Sequence, residues 1–376
     1  MRESTLWRAD AERALARPGT VVAVVVDVRG SAFRREGARL FVWPEGDWAG
    51  NISGGCLEPD VAMLAEEVRR SGRALTRRYN LAEDEMWGLG LGCGGDVEVL
   101  IEPFRAEMYR LMLSAPEGGV RVRLLPEDGA GGADGAHGGS GPDGRSGAGG
   151  APDEAWWTPA DAGGLPAELA RAAAARYRRG LPGTERAGGR RVFFDVVLPP
   201  RRLVVCGAGH DSLPLVDLAA AAGFSVIVVD PRPAYAHAGR FPRAAAIECG
   251  EAAEVLPRLG LGPRDAVVIQ HHHKRRDQDA LAAALRTRVG YIGQLGPRSR
   301  TQEMLAAIGG PPPEREPRLR SPVGLDLGAE SPEQLAVSIV GELLAWANGH
   351  PAGFLRDRRG PIHLAPGAVD AGGEAV

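Results

Sequence analysis

Leu203-Val204-Val205-Cys206-Gly207-Ala208-Gly209-His210-Asp211-Ser212 decides the fold of the C-terminal half. Leu203 to Cys206 is an apolar, β-branched run of strand length, and Gly207 to Ser212 is a glycine-bearing turn. The apolar stretch Leu213 to Ala222 reads as a helix, and Ser225 to Val229 as a second strand that ends in Asp230. Strand, G-x-G turn, helix, strand and an acid about 20 residues on form most of a dinucleotide-binding fingerprint. In that reading Gly207 and Gly209 lie against a pyrophosphate, His210 follows them in the turn, and Asp230 holds a ribose diol. Ser212 occupies the place of the third glycine, and Arg232 leaves NAD and NADP both open.

Working outward, Ala266 to Ile269 is another strand and runs into Gln270-His271-His272-His273. The carboxyl ends of strands border the ligand crevice of an open α/β sheet, which makes His271 a candidate there. His272 and His273 read as a solvated loop. Tyr291 to Gly293 is a short strand before Gln294-Leu295-Gly296-Pro297-Arg298-Ser299-Arg300, a loop at a helix start that reads either as an anion site built on its arginines or as a solvated charged turn. Ser331-Pro332-Glu333-Gln334 has capping-box form and opens a helix that Asn348-Gly349 stops. A Rossmann-like domain with a parallel sheet follows, over residues 201–350, with a tail at 351–376.

The N-terminal half is organised around Asn51-Ile52-Ser53-Gly54-Gly55-Cys56-Leu57-Glu58-Pro59-Asp60. Gly54 and Gly55 allow a tight bend and close approach of a ligand to the backbone. Glu58, Pro59 and Asp60 open a helix, Val61 to Val68, so Cys56 falls just before a helix N-terminus, where thiolate is favoured. The other reading is a buried structural cysteine in a glycine turn. A second cluster, Gly88 to Asp96, carries Cys93 and runs into the strand Val97 to Ile101. Two glycine-flanked cysteines are hard to explain as packing, because glycine-rich loops lie at surfaces.

Upstream, Glu3 to Arg17 has helical spacing, Val21 to Val28 is a buried strand, and Gly30 to Gly37 is a polar loop before the strand Ala38 to Trp43. Residues 1–126 form an N-terminal α/β domain, and 127–153 is a Gly/Ala/Asp/Ser insertion too poor in apolar surface to offset ordering entropy. Residues 154–200, with a helix Ala167 to Arg179 and a strand Arg191 to Leu198, complete that part.

Composition sets outer bounds. The chain has 376 residues and a net charge of −3, which gives no electrostatic case for nucleic acid or a membrane. Four cysteines without paired spacing, and no long apolar run or signal pattern, indicate a reduced cytoplasmic setting.

Together these motifs resemble the XdhC/CoxI family, accessory factors of xanthine dehydrogenase and related molybdenum hydroxylases. Gly30 to Arg35, Ser53 to Glu58, Gly92 to Gly95, Gly207 to His210, His271, Tyr291 to Arg298 and Pro322 to Gly328 carry the resemblance. It implies a chaperone rather than an enzyme, one that binds molybdenum cofactor (molybdopterin), protects it during sulfuration and delivers it to an apo-hydroxylase. The implied contacts are Cys56 and Cys93 at the metal centre, with Gly54, Gly55, Arg34, Gly207, Gly209, His210, Asp230, His271 and Arg298 around the cofactor. Implied partners are a molybdenum hydroxylase client and a cysteine desulfurase, and a homodimer is the expected assembly. Two other classes stand beside it. An NAD(P)-dependent oxidoreductase would use the Rossmann-like half with His210 or His271 as acid/base, and a redox-sensing protein would use Cys56.

Overall fold

The computed structural model describes residues 7–80, 95–125 and 153–357. The second glycine–cysteine cluster with Cys93, nearly all of the insertion read at 127–153, and most of the C-terminal tail lie outside the described residues. The chain divides into two compact units, Arg2–Pro199 and Pro200–Val376.

In the first unit, α1 (Arg8–Leu15) precedes β1 (Val21–Arg29), β2 (Arg39–Val42), β3 (Trp48–Gly50), α2 (Glu58–Ser71), β4 (Leu75–Asn80) and β5 (Asp96–Pro103). The five strands form an antiparallel sheet ordered β3-β2-β1-β5-β4. Then come α3 (Ala106–Ser114), β6 (Gly119–Leu124), β7 (Glu154–Trp157), α4 (Ala167–Arg179), β8 (Gly183–Ala187) and β9 (Arg190–Val197). Their strands make a second antiparallel sheet, β7-β6-β9-β8.

The β-branched run of β1 has covered faces on both sides. Val21, Ala23 and Val25 pack with Val61, Ala65 and Val68 of α2, while Val22, Val24 and Val26 pack with Trp7, Tyr109, Met112 and Phe193. The outer face of the second sheet buries Val192, Phe194 and Val196 against Leu169 and Ala173 of α4. Each fully buried aliphatic side chain contributes roughly 1.5–3 kcal/mol over its exposed state.

Between the two sheets the core is also charged. Arg39 pairs with Asp195, Arg121 with Glu102 and Glu154, Arg123 with Glu102, and Arg191 with Glu98. Such an arrangement is tolerated only because each buried ion finds a partner.

The second unit is parallel throughout: β10 (Arg202–Cys206), α5 (Ser212–Ala221), β11 (Ser225–Val229), β12 (Ala246–Glu248), α6 (Ala252–Val255), β13 (Ala266–Ile269), α7 (Lys274–Arg286), β14 (Tyr291–Gln294), α8 (Arg298–Ala307), β15 (Leu319–Arg320) and α9 (Pro332–Asn348). The order β12-β11-β10-β13-β14-β15 is the doubly wound arrangement, with its switch point between β10 and β13. One face packs α5 and α9; the other packs α6, α7 and α8. The Ser331 capping box forms, and Gly349 ends α9 in the left-handed conformation. Among the described residues no helix is long and apolar enough to cross a membrane.

Candidate functional sites

In the first unit the loop between β3 and α2 closes on itself. Glu58 is buried, and its Oε1 accepts the amides of Ile52 at 3.0 Å and Ser53 at 2.8 Å. The Ser53 hydroxyl donates to Glu58 Oε2. Ser53 Oγ in turn accepts the amides of Gly55, Cys56 and Leu57, each at 3.1 Å. Burial alone would push Glu58 up; the hydrogen bonds from Ser53 and Ile52 outweigh it and hold the carboxyl below the usual range.

This buckle presents Cys56 half-buried, resting on the core under α2. A Cβ placed on Gly54 or Gly55 would meet nothing within 4 Å, so the backbone before the thiol faces open space. Gly55 also needs its freedom, with φ at +110°. The Gly30–Gly37 loop joins the same locality: Arg34 donates to Asn51 Oδ1. A Cβ on Gly95 would run into the backbone of Ser31 and Arg29.

Arg34, Gly54, Gly55 and Cys56 therefore share one neighbourhood, while Cys93 falls outside the described residues. The amides of Gly55, Cys56 and Leu57 are taken by Ser53, so the start of α2 does not offer them to an anion. Sequence reasoning also misses the buckling role of Ser53 and Glu58; an S-x-x-x-x-E spacing across a glycine pair is the signal that could have found it.

In the second unit the G-x-G turn sits hard against β13. Gly207 has φ +117°, and a Cβ there would lie 2.6 Å from the Gln270 carbonyl oxygen. Ser212, at the third-glycine position, is fully buried; its hydroxyl donates to Gly207 O at 2.6 Å and accepts from Gln270 Nε2 at 2.7 Å. Gly209 and the exposed His210 complete the turn.

Asp230 is where the geometry departs from the ribose reading. Its carboxylate is fully buried and accepts the Ala208 amide at 2.8 Å, the Arg232 amide at 2.9 Å, and Arg232 Nε and Nη2 at 2.8 Å each. Burial raises it, but the Arg232 and amide bonds dominate and bring it down to about 2. Both oxygens are engaged within the chain, so Asp230 buckles the turn in place of offering itself to a diol. Arg232 in turn stacks over Tyr235, 4.0 Å from the ring centre, and Arg240 approaches the same ring at 5.0 Å.

His271 is buried, and its Nδ1 lies 3.1 Å from Asp277 Oδ1, which also takes the His271 amide at 2.9 Å. Arg300 donates to Asp277 Oδ2. Of the two arginines read as an anion site, Arg300 is thus committed to Asp277, and Arg298 stands exposed at the first turn of α8. His272, with φ +56°, is exposed but not simply solvated: it meets Asp211 at 2.8 Å, and His273 caps α7. Cys206 is fully buried, and burial, aided by the Asp277 carboxylate, pushes its thiol far up. Among the described residues no group of three or more His, Cys, Asp or Glu side chains could hold a metal ion.

Comparison with known proteins points in one direction. Residues 203–343 match the XdhC Rossmann domain, and residues 14–80 match the XdhC and CoxI family. The chain is 32% identical over 326 residues to a Bacillus subtilis (strain 168) protein named as a probable xanthine dehydrogenase component, covering 86% of this chain and 92% of that protein. It is 25% identical to the molybdenum cofactor insertion chaperone PaoD of Escherichia coli (strain K12), covering 90% and 87%. A crystal structure described as a xanthine dehydrogenase from Bacillus halodurans superposes with a TM-score of 0.71 at 29% identity, covering 92% of this chain and 95% of that one.

Proposed function

The chain belongs to the XdhC and CoxI family, and from that premise we propose that it is an accessory factor that carries molybdenum cofactor as cargo. It holds molybdopterin-bound molybdenum, supports its sulfuration and delivers it to a xanthine dehydrogenase-type hydroxylase. The observation that carries the reading is the Ser53–Glu58 buckle, which offers a thiol beside two glycines with open space over them. A soft thiolate suits a molybdenum centre. A resident structural metal would need a fuller ligand set. Arg34, bonded to Asn51 of the same loop, adds a cation for the cofactor's phosphate. A relative named as an insertion chaperone supports the same direction.

In this reading Cys56 contacts the metal centre, with Cys93 as its proposed companion. Gly54 and Gly55 let the cofactor approach the backbone, and the partners are a client hydroxylase and a cysteine desulfurase. A homodimer in the cytoplasm belongs to the same proposal. The oxidoreductase alternative loses its main support, because Asp230, the acid meant for an NAD(P) ribose, has both oxygens engaged by Ala208 and Arg232.

Equilibrium binding of released molybdopterin cofactor under anaerobic, reducing conditions tests it. Saturation near one site per chain is expected, with a weaker complex for Cys56→Ser. Absence of binding would sink the proposal.

A further inference from the structure

Between the antiparallel sheets of the first unit, four buried hydrogen-bond donors have no partner among the described residues: Trp7 Nε1, Arg39 Nε, Tyr109 Oη and Arg121 Nη1. None of the four residues is more than 4% exposed. The other nitrogens of the two arginines are engaged. Arg39 donates through Nη1 to Gly37 O at 2.9 Å and through Nη2 to Asp195. Arg121 donates through Nε to Glu154 and through Nη2 to Glu102.

The four residues stand together. Arg121 and Asp195 are register partners in β6 and β9, so the carboxylate that Arg39 holds lies opposite Arg121. The Arg39 guanidinium stacks over the Trp7 ring, 4.3 Å from its centre, and Tyr109 meets that ring edge-on at 5.7 Å. Burial pushes the Tyr109 hydroxyl up, against the pull of Arg39 and Arg121, so it keeps its proton. Even if that oxygen takes an arginine N–H, its own proton still lacks an acceptor.

The neighbourhood has no acceptor to spare. Arg39, Arg121, Arg123 and the half-exposed Arg105 share three carboxylates, those of Asp195, Glu102 and Glu154. Buried donors without acceptors cost free energy, and four of them in one place call for a guest. A water molecule would accept from two and bring two protons of its own, whereas the unpartnered buried atoms of this group are all donors already. An anion accepts from all of them and brings none, and between two guanidinium groups in a low-dielectric core its bonds are charge-assisted.

We infer that Arg39, Tyr109 and Arg121, with Trp7 beside them, hold one small monovalent anion of the halide class inside the first unit. Trp7 and Tyr109 pack on the face of β1 opposite the one that carries α2 and Cys56, so this site is distinct from the cargo site and does not depend on that reading.

The test follows thermal unfolding of the full chain in chloride and in gluconate at equal ionic strength, gluconate being too large for a packed interior. The midpoint should rise with chloride concentration, as linkage to a ligand of the native state requires, and stay lower in gluconate. Tyr109→Phe removes one donor and keeps the ring, and should weaken chloride roughly ten- to a hundredfold, the loss of one hydrogen bond to an ion. Crystals grown in bromide give a readout that needs no variant: an anomalous peak within reach of Arg39 Nε, Tyr109 Oη and Arg121 Nη1 is expected. Equal midpoints in the two salts would overturn the assignment. So would a water without anomalous signal at that place, or a Tyr109→Phe variant with the chloride dependence of the wild type.

Discussion

The two glycine turns of this chain use one device to different ends. In each, a buried carboxylate accepts amides of the turn: Glu58 takes those of Ile52 and Ser53, and Asp230 takes that of Ala208. The first buckle is closed within six residues and leaves its glycines facing open space and a thiol half-exposed. The second is closed across 22 residues by strand pairing, and its Gly207 is jammed against the backbone of Gln270 and His271, just past β13. A glycine next to a cysteine signals access in one case, and a glycine after a cysteine signals packing in the other. Glycine content alone does not separate them; what lies beyond the missing Cβ does.

That contrast can be broken most sharply at the glycines of the second turn. Gly207→Ala is expected to cost about 4 kcal/mol or prevent folding, from the positive φ and the clash with Gln270. A urea unfolding curve measures it, and a loss under about 1 kcal/mol would contradict the packing account. Glu58→Ala comes next, at about 3 kcal/mol, because it strands two amides and a hydroxyl that had a charged acceptor. Glu58→Gln should lose roughly half as much, keeping one acceptor oxygen.

The thiols carry the third test. Cys206→Ser puts a hydroxyl in an apolar site and should cost about 2 kcal/mol. Cys56→Ser should stay within about 0.5 kcal/mol of wild type while cofactor binding falls. Equal losses at both positions would erase the distinction between the two turns.

Acid titration separates the carboxylates. Asp230 is held at about 2 against an ordinary 3.8, so the stability it contributes is present above about pH 4 and is lost as pH falls toward 2. Glu58, lowered from 4.5 by the hydrogen bonds of Ser53 and Ile52, acts with the same sign. Asp230→Asn should flatten the low-pH limb of the stability curve and leave the limb due to Glu58. The smallest stability effect is expected at Gly54→Ala, within about 0.5 kcal/mol, since the added methyl meets nothing. Its effect should appear in cofactor binding instead.

Much of the parallel unit is legible in sequence because each strand is a short apolar run between turn signals. Ser225–Val229 and Ala266–Ile269 have the expected bounds, and the capping box at Ser331 marks α9. The antiparallel unit is less so. Trp48–Gly50 is only three residues long, too short a run to mark a strand in sequence, and Gly183–Ala187 carries Thr, Glu and Arg in place of an apolar run. Arg121, Arg123 and Asp195 look like surface residues in sequence; only the partner sheet makes them core.

At the sites, Cys56 and its glycines are visible as a pattern. The fate of Asp230 is not, because an acid at the right distance says nothing about an arginine two residues later folding back on it. Asp277 is invisible for a related reason: its meaning comes from a helix that brings it back onto His271 and Arg300.

The charged layer between the two antiparallel sheets carries a consequence for how this unit comes together. A sheet not yet joined to its partner would show water the guanidinium groups of Arg121, Arg123 and Arg191 among its apolar side chains, in place of a continuous greasy surface. Hydration of those groups keeps a half-assembled chain soluble and discourages it from pairing with copies of itself. Wrong pairing is penalised too, since a shift of one strand step would bury an ion opposite nothing. The same residues that make the finished core costly to desolvate thus act as a proofreading step on the way to it.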